Sequence, residues 1–223
     1  MRFITTMGLA MALLPLTLTS VSAGVIIGGT RIIFDGTKKE ASIGITNPDN
    51  VPYLIQSWID VQDEQSGKAP FIITPPMYRL DSGQKNIERI VATGSLPQAK
   101  ESLFWINIKA IPSASKQMNS LQIAVKTRIK LFWRPANIRL IPEDAAPKVK
   151  WRREGRNLIA ENPNPIHISV MDVIVDGHDV PLNMIRPFET LTLPLPANSA
   201  GGQMTWRFIN DYGAVSDPIK MTL

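Results

Sequence analysis

Leu121, Ile123, Val125, Thr127, Ile129 and Leu131 share one parity of the chain, and Gln122, Ala124, Lys126, Arg128 and Lys130 hold the other. Period-two alternation of this kind, rich in β-branched residues and stopped by Arg134-Pro135, predicts a strand over Leu121–Pro135. The run is about twice the usual strand length and is expected to extend past the sheet that holds it. Taken alone, it reads as a half-buried antiparallel strand with one face on a core and one in water.

Upstream, Gly24–Phe34 is an apolar β run whose glycines permit a kink or a switch between sheets. Asp35-Gly36 signals a turn, Ala41–Thr46 alternates, and Asn47-Pro48-Asp49-Asn50 closes that strand. Tyr53–Val61, Phe71–Ile73, Met77–Leu80, Asn86–Ala92 and Leu103–Ile111 follow. Asp63–Gly67 is read as a turn and Thr74-Pro75-Pro76 as a stiff corner, where one proline bond is a candidate for cis. Seven or eight short strands with regular turn signals and no useful helical period predict an immunoglobulin-like sandwich. Ile138–Pro147, with Pro142 and Pro147, reads as a link between domains. A second strand series then runs through Asn157–Asn162, Ile166–Val175, Val180–Ile185, Glu189–Leu195, Met204–Asn210 and Ala214–Leu223. The expected class is all-β: two sandwiches, over residues 24–141 and 148–223, joined by a short linker. No sequence repeat between them is evident.

Residues 1–23 stand apart. A short basic start at Arg2, an apolar stretch over Met7–Thr19 and the small-residue site Val21-Ser22-Ala23 predict an export signal cut before Gly24. The apolar part is too short, and too interrupted by Pro15, to span a membrane. Removing 23 of 223 residues leaves 200, with 23 basic against 19 acidic side chains, a net charge of +4. An exported chain without cysteine has no disulfide option, so hydrophobic cores must carry its stability. Its Lys and Arg are scattered rather than clustered, which argues against nucleic acid and favours an acidic protein partner.

The inventory for catalysis is thin. His167 reads as strand packing, and His178 lies in a turn beside Asp176 and Asp179. There is no nucleophile elbow, phosphate loop or cysteine nucleophile, and no convergent ligand set for a metal. Neither an enzyme nor a cofactor is expected.

Ile129-Lys130-Leu131-Phe132-Trp133-Arg134-Pro135 resembles the I-K-L-F-[YW]-R-P run of the periplasmic PapD-like chaperones of the chaperone–usher pathway, which assemble fimbriae. Leu96–Ile108, continuing to Ile111-Pro112-Ser113, also follows that family's signature, departing at Ala99, where the family usually has a small polar residue. The resemblance extends from Gly24 to the far end. It implies a boomerang of two domains around a cleft, located in the periplasm. It also implies a function: folding and capping pilin subunits by donor-strand complementation, and delivering them to an outer-membrane usher without ATP or membrane insertion.

Residue by residue, the resemblance places Arg31 and Lys130 in the cleft as the pair that binds a subunit's C-terminal carboxylate. It gives Leu121, Ile123 and Val125 to the subunit's pockets, and Glu101, Arg134 and Asp211 to a salt bridge between domains, although Asp211 on its own also reads as a turn cap. Lys130 has the opposite parity to the pocket residues. Either the strand twists or bulges between them, or Arg128 shares its role. The short loop Pro112–Ser120 resembles the subgroup whose clients form rod-like pili. The alternatives are a fimbrial subunit or adhesin, or a carbohydrate-active sandwich. The first wants a disulfide and a donor extension, and the second wants paired carboxylates or an aromatic platform; neither set is evident.

Overall fold

In a computed structural model, residues 24–61, 69–114, 121–197, 199 and 202–223 are described. The export-signal reading of residues 1–23, the turn at 63–67 and most of the loop before Leu121 lie outside them. Nine strands build the first domain: β1 (Ile26–Ile27), β2 (Arg31–Asp35), β3 (Glu40–Thr46), β4 (Tyr53–Val61), β5 (Phe71–Thr74), β6 (Met77–Leu80), β7 (Lys85–Ala92), β8 (Ser102–Pro112) and β9 (Val125–Arg134). They form two sheets, ordered β1-β3-β7-β5 and β2-β9-β8-β4-β6. The opening apolar run serves both sheets, because β1 pairs with β3 whereas β2 pairs in parallel with β9. The switch falls at Gly28, where a Cβ would come 3.1 Å from the Gly44 carbonyl oxygen. The Thr74–Pro75 bond is cis.

Between the sheets, Phe34 packs on Trp133 and Phe71 at ring-centroid distances of 5.2 and 5.7 Å, within a core that also holds Ile45, Ile55, Ile106 and Leu131. The second domain consists of β10 (Lys150–Glu154), β11 (Asn157–Glu161), β12 (Ile168–Val175), β13 (His178–Asp179), β14 (Met184–Ile185), β15 (Thr190–Pro194), β16 (Gln203–Ile209) and β17 (Ile219–Thr222). Its sheets are β10-β11-β15 and β13-β12-β16-β17, with β14 on β12. They enclose a core around Trp151, Trp206 and Phe208.

Three expectations are corrected. The alternation starting at Leu121 becomes a strand only from Val125. The partner register on β8 ends at Ala110↔Val125 and β2 reaches only Lys130–Arg134, so residues 121–124 have no ladder to join. The link between domains is not plain coil. Pro142 opens a one-turn helix, α1 (Pro142–Ala145), followed by a 3-10 turn, and Ala145 and Ala146 are buried in the second core. A strand missed in sequence, β10, starts the second domain.

The two domains also share a device. Buried Asn47 donates from Nδ2 to the carbonyls of Val51, Leu80 and Asp81, and buried Asn162 does the same to Ile166, Ile185 and Arg186. Each Asn-Pro corner satisfies three carbonyls that burial would otherwise leave unpaired.

Candidate functional site

Parallel pairing sets Arg31 directly against Lys130. Both side chains lie on the face of the β2-β9-β8-β4-β6 sheet that turns away from the sandwich core, since Ile129 and Leu131 on either side of Lys130 are core residues. Burial pulls the Arg31 guanidinium below its ordinary pKa, an effect that nearby Asp211 and Glu101 oppose. Burial also lowers the Lys130 ammonium, and the Arg31 charge adds to the effect. Arg31 Nη1 donates to the Ile209 carbonyl of the second domain at 3.3 Å, while its buried Nε has no protein acceptor. Two half-buried cations at one point make a place where an anion is favoured.

The pairing of β8 with β9 runs from Ser102↔Trp133 to Ala110↔Val125 without a register shift. No bulge separates Lys130 from the apolar row. Within the paired residues the pleat alone gives the strand two faces, so no bulge is needed to set Lys130 opposite to Val125. Arg128 shares the outer face but stacks on Trp105, with its guanidinium carbon 4.5 Å from the ring centroid. Beside it a cavity of about 740 Å³ is lined by Trp58, Asp60, Asn107, Lys126 and Arg128, without Arg31 or Lys130.

On the other face, Leu121, Ile123 and Val125 are 86%, 65% and 49% exposed. They continue the row of Ile129 and Leu131 beyond the sheet. Because β2 covers only the far half of β9, the edge of Val125–Ile129 pairs with no strand among the described residues. An exposed apolar row beside a free strand edge is a template for another strand.

Arg134, at the end of β9, reaches across to the second domain. Its Nη1 and Nη2 donate to Asp211 Oδ2 and Oδ1 at 2.6 and 2.9 Å. Its Nε and Nη2 meet Glu101 Oε1 at 3.0 and 2.9 Å. Asp211 is free for this because Asn210 caps the turn instead, its Oδ1 accepting from the backbone N–H of Tyr212 and of Ala214. Sequence reasoning missed His167. It does not lie within a strand; buried between the domains, it donates its backbone N–H to Glu101 Oε2 at 2.8 Å and places Nδ1 2.8 Å from the same oxygen. Its partner is 66 positions away, a separation no local pattern reveals. His178 is exposed, at the start of β13. Among the described residues no cluster of three His, Asp or Glu is placed to hold a metal, and no helix is long and apolar enough to cross a membrane.

Residues 24–139 match the family described as "Pili and flagellar-assembly chaperone, PapD N-terminal domain", and residues 144–220 match "Pili assembly chaperone PapD, C-terminal domain". The chain belongs to the PapD-like pilus-assembly chaperones. Among PapD-like relatives, the chaperone protein FimC of Escherichia coli K12 is 38% identical over 222 residues, which cover 96% of this chain and 90% of FimC. The chaperone protein LpfB of Salmonella typhimurium is 38% identical, with 97% and 95% covered. Among solved structures, the Salmonella enterica SafA pilin in complex with the SafB chaperone aligns with a TM-score of 0.80 at 34% identity, covering 90% of this chain and 96% of that one. The E. coli chaperone DraB aligns at 0.79 and 37% identity, covering 90% and 98%. The PapD-like match spans both domains, and the reading as a fimbrial subunit or adhesin is not favoured.

Proposed function

We propose that this chaperone acts in the periplasm, completes fimbrial subunits with the apolar row of Leu121, Ile123 and Val125, holds their terminal carboxylate on Arg31 and Lys130, and passes them to an outer-membrane usher. The observation that carries the reading is the relation between the open edge of β9 and the start of β2. A strand added along Val125–Ile129 in the direction of β2 ends where β2 begins, opposite Arg31 and Lys130. Added that way round, it brings its carboxylate to the two cations; added the other way, it would bring its ammonium there. Charge therefore selects parallel docking, main-chain hydrogen bonds supply attraction, and the alternate side chains fill the subunit's core. Release needs no ATP, because another strand replaces the donated one. Glu101, Arg134 and Asp211 fix the angle at which the second domain closes this corner.

The test uses the fimbrial subunit that copurifies with the chain from periplasm, with a free or an amidated C-terminus. Amidation should weaken the wild-type complex roughly tenfold to a hundredfold, the worth of a charge-assisted hydrogen bond. It should make little further difference to Lys130→Ala, a cycle that isolates the pairwise term. The free Lys130→Ala protein should stay folded, since the change relieves repulsion with Arg31. Additive losses would place the carboxylate elsewhere, with Arg128 the first residue to examine.

A further inference from the structure

The Glu101 carboxylate is almost fully buried and has four nitrogens within 3.0 Å of its oxygens. Arg134 Nε and Nη2 meet Oε1, and the backbone N–H and Nδ1 of His167 meet Oε2. Glu101 also donates its own backbone N–H to the Pro165 carbonyl at 2.8 Å, so it is tied to the second domain from both ends. The His167 ring packs on Phe132 at 5.3 Å between centroids, and Phe132 lies on the outer face of β9 two residues from both Lys130 and Arg134.

We propose that His167 is a positioning residue: its Nδ1–H, beside its own backbone N–H, holds the second oxygen of Glu101, and through Glu101 and Arg134 it keeps the second domain where the Ile209 carbonyl receives Arg31. That last step rests on the reading of Arg31 and Lys130 as the subunit's carboxylate site. A carboxylate oxygen only accepts, so Nδ1 must carry the hydrogen. With Oε2 so held, the Glu101 plane is fixed, and Oε1 is presented to Nε and Nη2 of Arg134 together. The other two guanidinium donations then go to Asp211 in the loop that follows β16, the strand whose last residue is Ile209. The line from ring to cation pair contains only buried or half-buried hydrogen bonds, which water competes for poorly. The chemistry also separates two conservative replacements. Asparagine places an amide nitrogen where Nδ1 stands, whereas glutamine carries it one methylene further.

The experiment takes the mature chain with 15N-labelled histidine. There are only two histidines, so His178→Ala assigns the spectrum. A hydrogen on Nδ1 of His167 is expected, and a bare Nδ1 overturns the proposal. His167→Asn and His167→Gln are then compared for binding of the copurified subunit, free and amidated. Gln should weaken the free-carboxylate complex about tenfold or more and Asn by no more than about threefold. Equal losses in the two variants would leave His167 as mere filling and overturn the positioning role. If the wild-type chain does not distinguish the free from the amidated subunit, the carboxylate reading fails. The clamp itself is then decided by the ring hydrogen and by non-additive destabilisation of His167→Ala with Glu101→Gln.

Discussion

Glu88 shows how a single side chain sets a condition on the first domain. It lies on β7 between Ile87 and Arg89, yet it is Ile87 that faces solvent, while Glu88 is fully buried against β4, where Ser57 Oγ donates to its Oε1 at 2.6 Å. Burial raises the carboxyl above its ordinary pKa, and the hydroxyls of Ser57 and Tyr78 only partly offset that. Sign follows from linkage: a folded-state value above the unfolded one means the folded chain binds the extra proton. The stabilising contribution is therefore complete below the ordinary carboxyl range and is lost as pH rises through the raised value. Glu88→Gln should abolish this loss. The wild-type and variant stabilities, measured by urea unfolding, should diverge by about 1.4 kcal/mol per pH unit across that window, with the variant the more stable on the alkaline side. Parallel curves would mean that Glu88 is ionised in the fold. Sequence alone does not single this residue out, because Ile87 and Val91 on one parity compete with Ile90 and Ala92 on the other.

At the scale of the element, β9 carries two sets of instructions on two faces. Ile129, Leu131 and Trp133 enter the core, while Lys130, Phe132 and Arg134 serve the corner between the domains. The core row was legible because alternation survives wherever one face is buried. The apolar residues that extend it were legible as a pattern, and the length of the run as one that outlasts its sheet, but not the point where pairing stops, since that depends on where β2 and β8 end. The predicted consequence is a separation of binding from stability. Ile123→Asp should abolish or weaken subunit capture by roughly tenfold to a hundredfold, the value of one buried aliphatic side chain. The melting temperature of the free chain should hardly move, as surface changes alter stability by about 0.5 kcal/mol or less. Calorimetry on the free protein checks this, and a large fall would place Ile123 in the core of its own domain.

For the whole molecule, the relation between the two sandwiches depends on a few contacts of very long sequence separation. The family resemblance pointed to Glu101, Arg134 and Asp211. It did not point to His167, nor to the approach of Thr30 to Gly213, because local periodicity carries no information about a partner 66 residues away, still less one on the far side of the chain. Thr30 stands where the chain changes sheets and immediately precedes Arg31. Gly213 closes the Asn210–Gly213 turn that presents Asp211 to Arg134, and it adopts φ +86°, a conformation that disfavours any side chain. A Cβ there would lie 2.5 Å from Thr30 Oγ1. Gly213→Ala should thus incur two costs: about 1–2 kcal/mol for the left-handed backbone, and a steric push between the domains. Adding Thr30→Ala should remove the second cost and leave the first. By calorimetry the single variant should melt at least about 2–4 °C lower, as expected for a chain of this size, and the double variant should recover part of that loss. Subunit binding should follow the steric part alone, because only the push moves Ile209 away from Arg31. If Thr30→Ala recovers nothing, the loss is wholly in the turn and the domains are not held apart by this contact.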